Sequence, residues 1–140
     1  MEFYADGKGH VEYRGLSLFH TENGAYTGNI IATEAIKTDM LARYVSPQLL
    51  ENVKRDICCH LDSLLGRQYR GPLGVDMMVV ADADGQLLLH PCVEINLRRT
   101  MGHVAIALSP HDDDILQVMR IQHADDAYQL TLNRLHHEAL

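Results

Sequence analysis

The sequence predicts an α+β fold, in which an antiparallel sheet carries helices packed on one side. Several short segments alternate apolar and polar residues with a period of two, which is typical of half-buried strands. Turn residues such as Gly, Asp and Asn separate these segments, as in antiparallel hairpins. One long segment near the middle of the chain has helical periodicity instead. Hairpin strands with helices segregated against them define the α+β class.

Composition and charge narrow the function. The chain has 140 residues, which predicts a single domain over residues 1–140, and 46% of them are hydrophobic, enough for a buried core. Twelve Lys and Arg against 19 Asp and Glu give a formal charge of −7, which argues against a nucleic-acid surface. No apolar run reaches the length of a membrane span, and MEFYADGKGH at the start has no secretory signal. We therefore expect neither nucleic acid nor a membrane as partner.

The three cysteines, Cys58, Cys59 and Cys92, indicate a reducing compartment. An odd number with two adjacent residues does not fit a disulfide framework. Adjacent cysteines on a helix favour two ordinary residues over a redox pair. We therefore expect a cytoplasmic protein.

The first part of the chain predicts strands followed by a short helix. Residues 1–8 form a strand that runs into an Asp-Gly turn, and residues 11–20 are extended. The turn TENG then leads into residues 25–35, AYTGNIIATEA, which return as an antiparallel partner. Residues 36–45 are predicted as a short helix.

Residues 46–66 are the clearest helix in the sequence. Ser46 suits the N-cap, Pro47 suits the first helical position, and Gly66 suits the position after the last turn. The apolar residues of this segment follow helical spacing and form one face. They are Leu49, Leu50, Val53, Ile57, Leu61, Leu64 and Leu65.

The second half of the chain predicts two hairpins around another helix. VDMMVV at 75–80 is a strand, DADG is a tight turn, and QLLLHPCVEINL at 86–97 is the antiparallel partner. Thr100 suits the N-cap of a helix over MGHVAIALS. The segments ILQVMRIQH and AYQLTLNRL form the last hairpin.

The stretch VEINL contains the main candidate for chemistry. Its period-two alternation places Val93, Ile95 and Leu97 on one face and Glu94 and Asn96 on the other. The α-carbons of Glu94 and Asn96 are then roughly 6.6 Å apart. A carboxylate and an amide oxygen at this spacing can converge on one hard cation, although any half-buried strand with a wet side shows such alternation.

Asp76 adds a third oxygen ligand. It lies on the strand that the DADG turn brings back beside VEINL, so we expect it near Glu94 and Asn96. Carboxylate and amide oxygens suit Mg²⁺, and a cation between the two carboxylates relieves their repulsion. Arg98 has the same strand parity as Asn96 and suits an anion nearby, whereas Arg99 points away.

The segment GVDMMVVADADGQLLLHPCVEINLRRTMG resembles the C-terminal metal-binding segment of ATP-grasp enzymes. In that superfamily an acid on one strand precedes a hairpin, and the partner strand carries E-x-N, often followed by Arg at the next position on that face. The resemblance covers residues 71–108. The upstream hairpin and the long helix also fit the order of elements in the C-terminal subdomain of that fold. The matching positions are Asp76, Glu94, Asn96 and Arg98.

The resemblance implies roles for individual residues. Asp76, Glu94 and Asn96 would hold Mg²⁺ against the β- and γ-phosphates of ATP. Arg98 would be the catalytic and cofactor-binding arginine that faces the transferred phosphoryl group or the acyl phosphate. Met78 would pack under the adenine. The implied function is that of an ATP-dependent carboxylate–amine or carboxylate–thiol ligase, with ATP, Mg²⁺ and a small carboxylate as ligands.

Two departures from the ATP-grasp pattern shape this expectation. The chain is too short to include the N-terminal subdomain that supplies phosphate-binding lysines, and Leu97 stands where many members have Pro. We therefore expect the C-terminal portion of a larger ATP-grasp protein, inactive by itself, with the missing N-terminal subdomain as partner. The alternative is a diverged, non-catalytic module for dimerisation or ligand binding, because open strand edges favour self-pairing.

Three other motifs carry weaker hypotheses. The acidic run HDDD at 111–114 is a second candidate metal site, although such runs are usually solvated turns or helix caps. Cys92 shares the strand parity of Glu94 and is a candidate nucleophile without a visible activating base. His90 and His103 are candidate bases, although packing or surface roles explain both.

Overall fold

The computed structural model describes residues 1–135 as eight β-strands and three α-helices, so the protein is α+β as the sequence predicts. The strands are β1 Glu2–Asp6, β2 Val11–Gly15, β3 Phe19–Glu22, β4 Ala25–Ile31, β5 Arg70–Ala81, β6 Leu87–Asn96, β7 Gln117–Ala124 and β8 Ala127–Arg134. The helices are α1 Glu34–Leu41, α2 Pro47–Leu65 and α3 Met101–Ala107. The two predicted C-terminal hairpins, β5–β6 and β7–β8, are both confirmed.

The strands divide into two antiparallel sheets of four, where the sequence predicts a single sheet. The first sheet has the order β2-β1-β5-β6, and the second has the order β3-β4-β7-β8. The break falls inside residues 11–20, which are predicted as one extended segment, because β2 ends at Gly15 and β3 begins at Phe19. Gly15 has a φ of 150°, and a Cβ there would lie 2.8 Å from Ile106. Only glycine fits where the chain leaves the first sheet.

Helix α2 begins and ends where the sequence predicts. The side chain of Ser46 accepts a hydrogen bond of 3.2 Å from the backbone N–H of Leu49, and Gly66 follows the helix with a φ of 51°. The short helix predicted over 36–45 is α1, which starts earlier because Thr33 caps it. Within residues 1–135, α2 included, no helix is long and apolar enough to cross a membrane.

The apolar face of α2 is narrower than the sequence indicates. Leu50, Leu61 and Leu65 are buried against the first sheet, whereas Leu49 and Leu64 are 43% and 67% exposed. Leu49 lies at one margin of the apolar stripe, near the start of α2, whereas Leu64 lies within the stripe but in the last turn of the helix. Helical spacing alone therefore overestimates the buried face.

Neighbouring residues of β1 face opposite layers of the protein. Phe3 is fully buried in the main hydrophobic cluster, which α2 shares with the first sheet, and its ring contacts Tyr13 edge-on at 5.7 Å. Glu2 faces the other way, towards His103 of α3. Helices α2 and α3 thus lie against opposite faces of the first sheet, whereas the sequence predicts helices on one side. Helix α3 reaches this face because it also packs on β4 of the second sheet, through Ala105 and Ile31.

Strand β6 is an edge of the first sheet, and much of its apolar surface is exposed. Ile95 pairs with Val75, as the alternation predicts, but Val93, Ile95 and Leu97 remain 48%, 39% and 49% exposed. The sequence indicates a half-buried strand, and among residues 1–135 no helix covers the apolar face of this part of β6. The reason is positional, since α2 lies over β2 and the inner strands β1 and β5.

Candidate functional site

The register of β5 and β6 brings the three predicted oxygen ligands to one face of the first sheet. Asp76 lies directly opposite Glu94, and Gly74 lies directly opposite Asn96. Opposite residues of an antiparallel pair share a face, so Asp76, Glu94 and Asn96 form one polar cluster. We call these three residues the Asp76 cluster. Gly74 has no side chain, and side-chain atoms of Glu2 and Thr100 fill the space above it.

Hydrogen bonds join the Asp76 cluster to Arg98. The amide nitrogen Nδ2 of Asn96 donates to Oδ2 of Asp76 at 3.2 Å. Nη2 of Arg98 donates to the amide oxygen Oδ1 of the same asparagine at 3.1 Å. This orientation of the amide satisfies both neighbours, because the reverse orientation would set two acceptors against each other and two donors against each other.

A turn, rather than continued strand, brings Arg98 to this position. Strand β6 ends at Asn96, and the backbone N–H of Arg98 donates to the carbonyl oxygen of Asn96 at 2.9 Å. The sequence-based expectation that Arg98 lies on the Asn96 side is therefore met by a different backbone path. Arg98 and Glu94 are exposed, whereas Asp76 and Asn96 are half-buried, so solvent reaches the cluster from one side.

Met78 lies farther along β5 and is 51% exposed. It pairs with His90, whereas Asp76 pairs with Glu94. Between these two pairs the chain advances two residues along β5 but four residues along β6. The irregularity contains Pro91, which has no backbone N–H to give to a ladder. Because the excess is two residues, Met78 and His90 keep the strand parity of Asp76 and Glu94.

A cavity of about 620 Å³ lies between the two sheets, beside the Asp76 cluster. Its volume is in the range of pockets that bind small molecules and cofactors. Two of the five predicted site residues line it, Asp76 and Met78, whereas Glu94, Asn96 and Arg98 are not part of its wall. The remaining wall is largely apolar and comes from β5 and β6 of the first sheet, β3 and β4 of the second, the β2–β3 connection, and the segment from the end of α1 to the start of α2.

Sequence reasoning missed a buried acid next to this site. Glu2 is 4% exposed, and its Oε2 lies 2.9 Å from Nδ1 of His103. Its carboxylate occupies space left by two glycines, because a Cβ at Gly74 or Gly102 would lie 2.8 Å and 1.9 Å from its oxygens. Burial raises the pKa of the Glu2 carboxyl, and the negative charge of Asp76 acts in the same direction.

His103 has a structural role in this arrangement. Its Nδ1 accepts a hydrogen bond of 3.2 Å from the backbone N–H of Thr100, and its Nε2 lies 3.2 Å from the carbonyl oxygen of Phe3. It therefore completes the N-cap of α3 and ties this helix to β1. The Thr100 hydroxyl also lies 3.1 Å from Nδ1, on which the Glu2 carboxyl converges. The only signal in the sequence was the position of His103 three residues after Thr100.

The weaker candidate sites do not gather into metal or catalytic groups. In HDDD, the carboxylate of Asp113 accepts a hydrogen bond from the Thr33 hydroxyl, and Oδ1 of Asp112 accepts from the N–H of Asp114 at 2.9 Å. Across residues 1–135, no group of three or more His, Cys, Asp or Glu side chains could hold a metal ion. The Asp76 cluster is a different kind of set, with two carboxylates and one amide.

The cysteines show no activated thiol. Cys92 and Cys59 are free and exposed, and Cys58 is free and half-buried. Burial raises the pKa of the Cys58 thiol, which disfavours the thiolate form that a nucleophile needs. His90 lies on the exposed part of β6.

Comparison of this chain with protein-family models, with curated proteins and with solved structures found no match.

Proposed function

We propose that this chain binds Mg²⁺ together with ATP, as the nucleotide-binding half of an ATP-grasp-type carboxylate–amine or carboxylate–thiol ligase. The observation that carries the proposal is the convergence of Asp76, Glu94 and Asn96 on one face of the β5–β6 hairpin, with Arg98 hydrogen-bonded to Asn96. The two carboxylates and the amide oxygen suit a cation, and the guanidinium suits an anion bound to that cation.

The chemistry of the donor set fits Mg²⁺. The ion prefers a few carboxylate or carbonyl oxygens from the protein and keeps water or phosphate oxygens in its remaining positions. Asp76 and Glu94 supply two negative charges on opposite strands, and Asn96 supplies a neutral amide oxygen. Because Glu94 is exposed and the other two are half-buried, this face has room for water and phosphate. When bound, the cation would neutralise the polyphosphate and polarise the transferred phosphoryl group.

Arg98 supplies the complementary positive charge. A guanidinium offers paired N–H donors that match two phosphate oxygens, and these charge-assisted bonds are stronger than bonds to a neutral amide. In the proposed reaction, the γ-phosphoryl group moves to a carboxylate oxygen of the substrate and ADP leaves. An amine or thiol then attacks the acyl phosphate and displaces inorganic phosphate. Arg98 would bind the phosphoryl oxygens during both steps.

The cavity between the sheets suits the nucleoside. Its wall is mainly apolar, and Met78 and Asp76 both line it. A base ring bound against Met78 would leave the phosphates directed towards Asp76 and the rest of the cluster. A polarizable methionine side chain packs well against flat rings.

The proposed ligase needs a second subdomain for catalysis. The chain has three lysines, Lys8, Lys37 and Lys54, and none of them lines the cavity. Nζ of Lys37 is buried and donates to the carbonyl oxygen of Leu16 at 2.6 Å, while Lys54 pairs with Glu51 at 2.6 Å. The lysines that grip the phosphates in an ATP-grasp enzyme would therefore come from the partner subdomain. The free cysteines fit a cytoplasmic enzyme of this kind.

Calorimetric titration of the chain with ATP, in the presence and absence of Mg²⁺, tests the proposal. We expect binding that depends on Mg²⁺, abolished by Glu94→Ala and retained by Glu22→Ala. Glu22 is a matched control, because it is also an exposed glutamate on a strand. Absence of Mg²⁺-dependent binding in the wild type, or unchanged affinity in the Glu94 variant, would contradict the proposal.

A second candidate function is a non-catalytic interaction module. The observation that favours it is the open edge of β6, which exposes Leu87, Leu88, Val93 and Ile95. Exposed apolar edge strands are templates for pairing with another chain. Sedimentation equilibrium, together with nucleotide titration, separates the two functions. A dimer whose dissociation constant is unchanged in Glu94→Ala, and which binds no nucleotide, supports the interaction module.

A further inference from the structure

We infer that the positive charge of Arg98 substitutes for a bound cation beside the Asp76 cluster until an anion binds Arg98 and moves it away. Anion binding and Mg²⁺ binding should therefore strengthen each other. This inference rests on the proposed function and adds a regulatory contact to it. It concerns the order in which the Asp76 cluster and Arg98 become available to their ligands.

The hydrogen bonds of Asn96 provide the first step. Its amide oxygen, the atom that would coordinate a cation, accepts from Nη2 of Arg98 at 3.1 Å. Its amide nitrogen donates to Oδ2 of Asp76 at 3.2 Å. Both polar atoms of the amide, and one oxygen of Asp76, are thus engaged within the protein. A cation that uses the amide oxygen would therefore share it with the positively charged guanidinium of Arg98.

Charge provides the second step. The guanidinium of Arg98 lies one amide group away from Asp76, and Asp76 is opposite Glu94. It therefore provides part of the positive charge that the two carboxylates would otherwise take from a metal ion. A second cation entering while Arg98 stays in place would be repelled by it.

The exposure of Arg98 provides the third step. Its side chain is solvent-exposed, and its other contact in the structure is a bond of 3.5 Å from Nη1 to the carbonyl oxygen of Arg99. It can therefore rotate towards an anion without disrupting the core. A phosphate or sulfate offers two charged oxygens to the guanidinium, whereas Asn96 offers one neutral oxygen. An anion thus frees the amide oxygen for the cation.

Thermodynamic linkage then fixes the relation between the two ligands. If an anion raises the affinity for the cation by some factor, the cation raises the affinity for the anion by the same factor. Removing Arg98 should have opposite effects on the two. The cation alone should bind more tightly, and the anion should bind more weakly.

The experiment uses Mn²⁺, followed by electron paramagnetic resonance, as the probe for the cation site and sulfate as the probe for the anion. Ionic strength is held constant with chloride. In the wild-type chain, we expect sulfate to increase Mn²⁺ affinity by about five- to tenfold, at the lower end of typical coupling between sites. In Arg98→Ala, we expect Mn²⁺ alone to bind more tightly by a similar factor and sulfate to have no effect.

Arg99→Ala is the matched control, because it removes the adjacent arginine, whose side chain makes no hydrogen bond to the Asp76 cluster in the structure of residues 1–135. It should behave as the wild type in both measurements. Unchanged or weaker Mn²⁺ binding in Arg98→Ala would overturn the inference, even if Mg²⁺·ATP binding by the wild type upholds the proposed function. Failure of the proposed function would show instead as Mn²⁺ binding that is insensitive to Glu94→Ala.

Discussion

The carboxylate of Glu2 lies 2.9 Å from Nδ1 of His103, and both side chains are at least nine-tenths buried. This contact joins the first strand to α3, the helix that follows Arg98 in the chain. Because Gly74 and Gly102 leave the space that the carboxylate fills, a side chain at either position would displace it. The Glu2–His103 contact therefore helps to set where the segment after β6 lies relative to the Asp76 cluster.

Replacing Glu2 by Gln tests the protonation of this contact. Burial raises the pKa of Glu2 above its ordinary value of 4.5, so the folded state holds its proton more tightly than the unfolded state. Stability conferred by the protonated group is complete below pH 4.5 and is lost as pH rises through the folded pKa. Glutamine donates a hydrogen bond at any pH. Urea unfolding should therefore show Glu2→Gln gaining stability relative to the wild type as pH increases from 4 to 8.

Glu2→Ala is the companion variant for this prediction. It removes the buried carboxyl and leaves a void, so we expect a loss of about 1–3 kcal/mol near pH 4. This loss should shrink as pH rises, because the variant has no group that titrates at this position. A Gln variant that loses stability relative to the wild type as pH rises would show that Glu2 is ionised in the folded protein.

Two leucines of α2 allow a matched test of the buried face. Leu61 is 3% exposed and Leu64 is 67% exposed, although the sequence places both on one apolar stripe. We expect Leu61→Ala to lower the free energy of unfolding by about 2–5 kcal/mol, because it creates a cavity in the core. Leu64→Ala should change it by less than about 0.5 kcal/mol. Equal effects in denaturant unfolding would mean that α2 is rotated from the position described.

The hydroxyl of Tyr13 stabilises the charged form of Glu34. Burial alone would raise the pKa of Glu34, but hydrogen bonds from this hydroxyl and from the backbone N–H of Leu16 lower it overall. A carboxyl with a lowered folded pKa contributes stability that is present above its unfolded pKa, near 4.5, and is lost as pH falls through the folded pKa. Tyr13→Phe should therefore destabilise the protein by about 1 kcal/mol at neutral pH.

Tyr13→Phe should lower the free energy of unfolding by a smaller amount in acid. Once Glu34 is protonated, the charge-assisted bond from Tyr13 no longer distinguishes the wild type from the variant. Melting curves recorded from pH 7 down to pH 3 should show the gap between the two proteins narrowing below pH 4.5. A gap that stays constant over this range would show that the Tyr13 hydroxyl does not act on the charge of Glu34.

The sequence correctly predicted features that depend on residues close together in the chain. The Ser46 and Thr100 caps, the Gly66 stop and the hairpin turns all arise from local backbone chemistry, and the structure has each of them. The shared face of Glu94 and Asn96 follows from strand alternation in the same way. The short turn sets the register of β5 and β6 only as far as Met78 and His90, and continued unchanged it would place Asp76 opposite Cys92. The irregularity around Pro91 moves Asp76 opposite Glu94.

Other features depend on contacts between distant segments, and only the tertiary structure decided them. The division of residues 11–20 between two sheets falls at Gly15, where Ile106 of α3 approaches the backbone. The burial of Glu2 beneath α3 joins positions about one hundred residues apart, and nothing in its strand pattern marks it as a core residue. The exposure of β6 follows from its place at the sheet edge.

For the candidate site, the sequence by itself determined which ligands could share a face, because strand parity is a local property. The tertiary structure decided that Arg98 reaches Asn96 through a turn and that the cavity touches Asp76 and Met78 but not the other three residues. Those relationships depend on where whole strands and sheets lie in space, since packing between distant segments, not the order of neighbouring residues, fixes such distances.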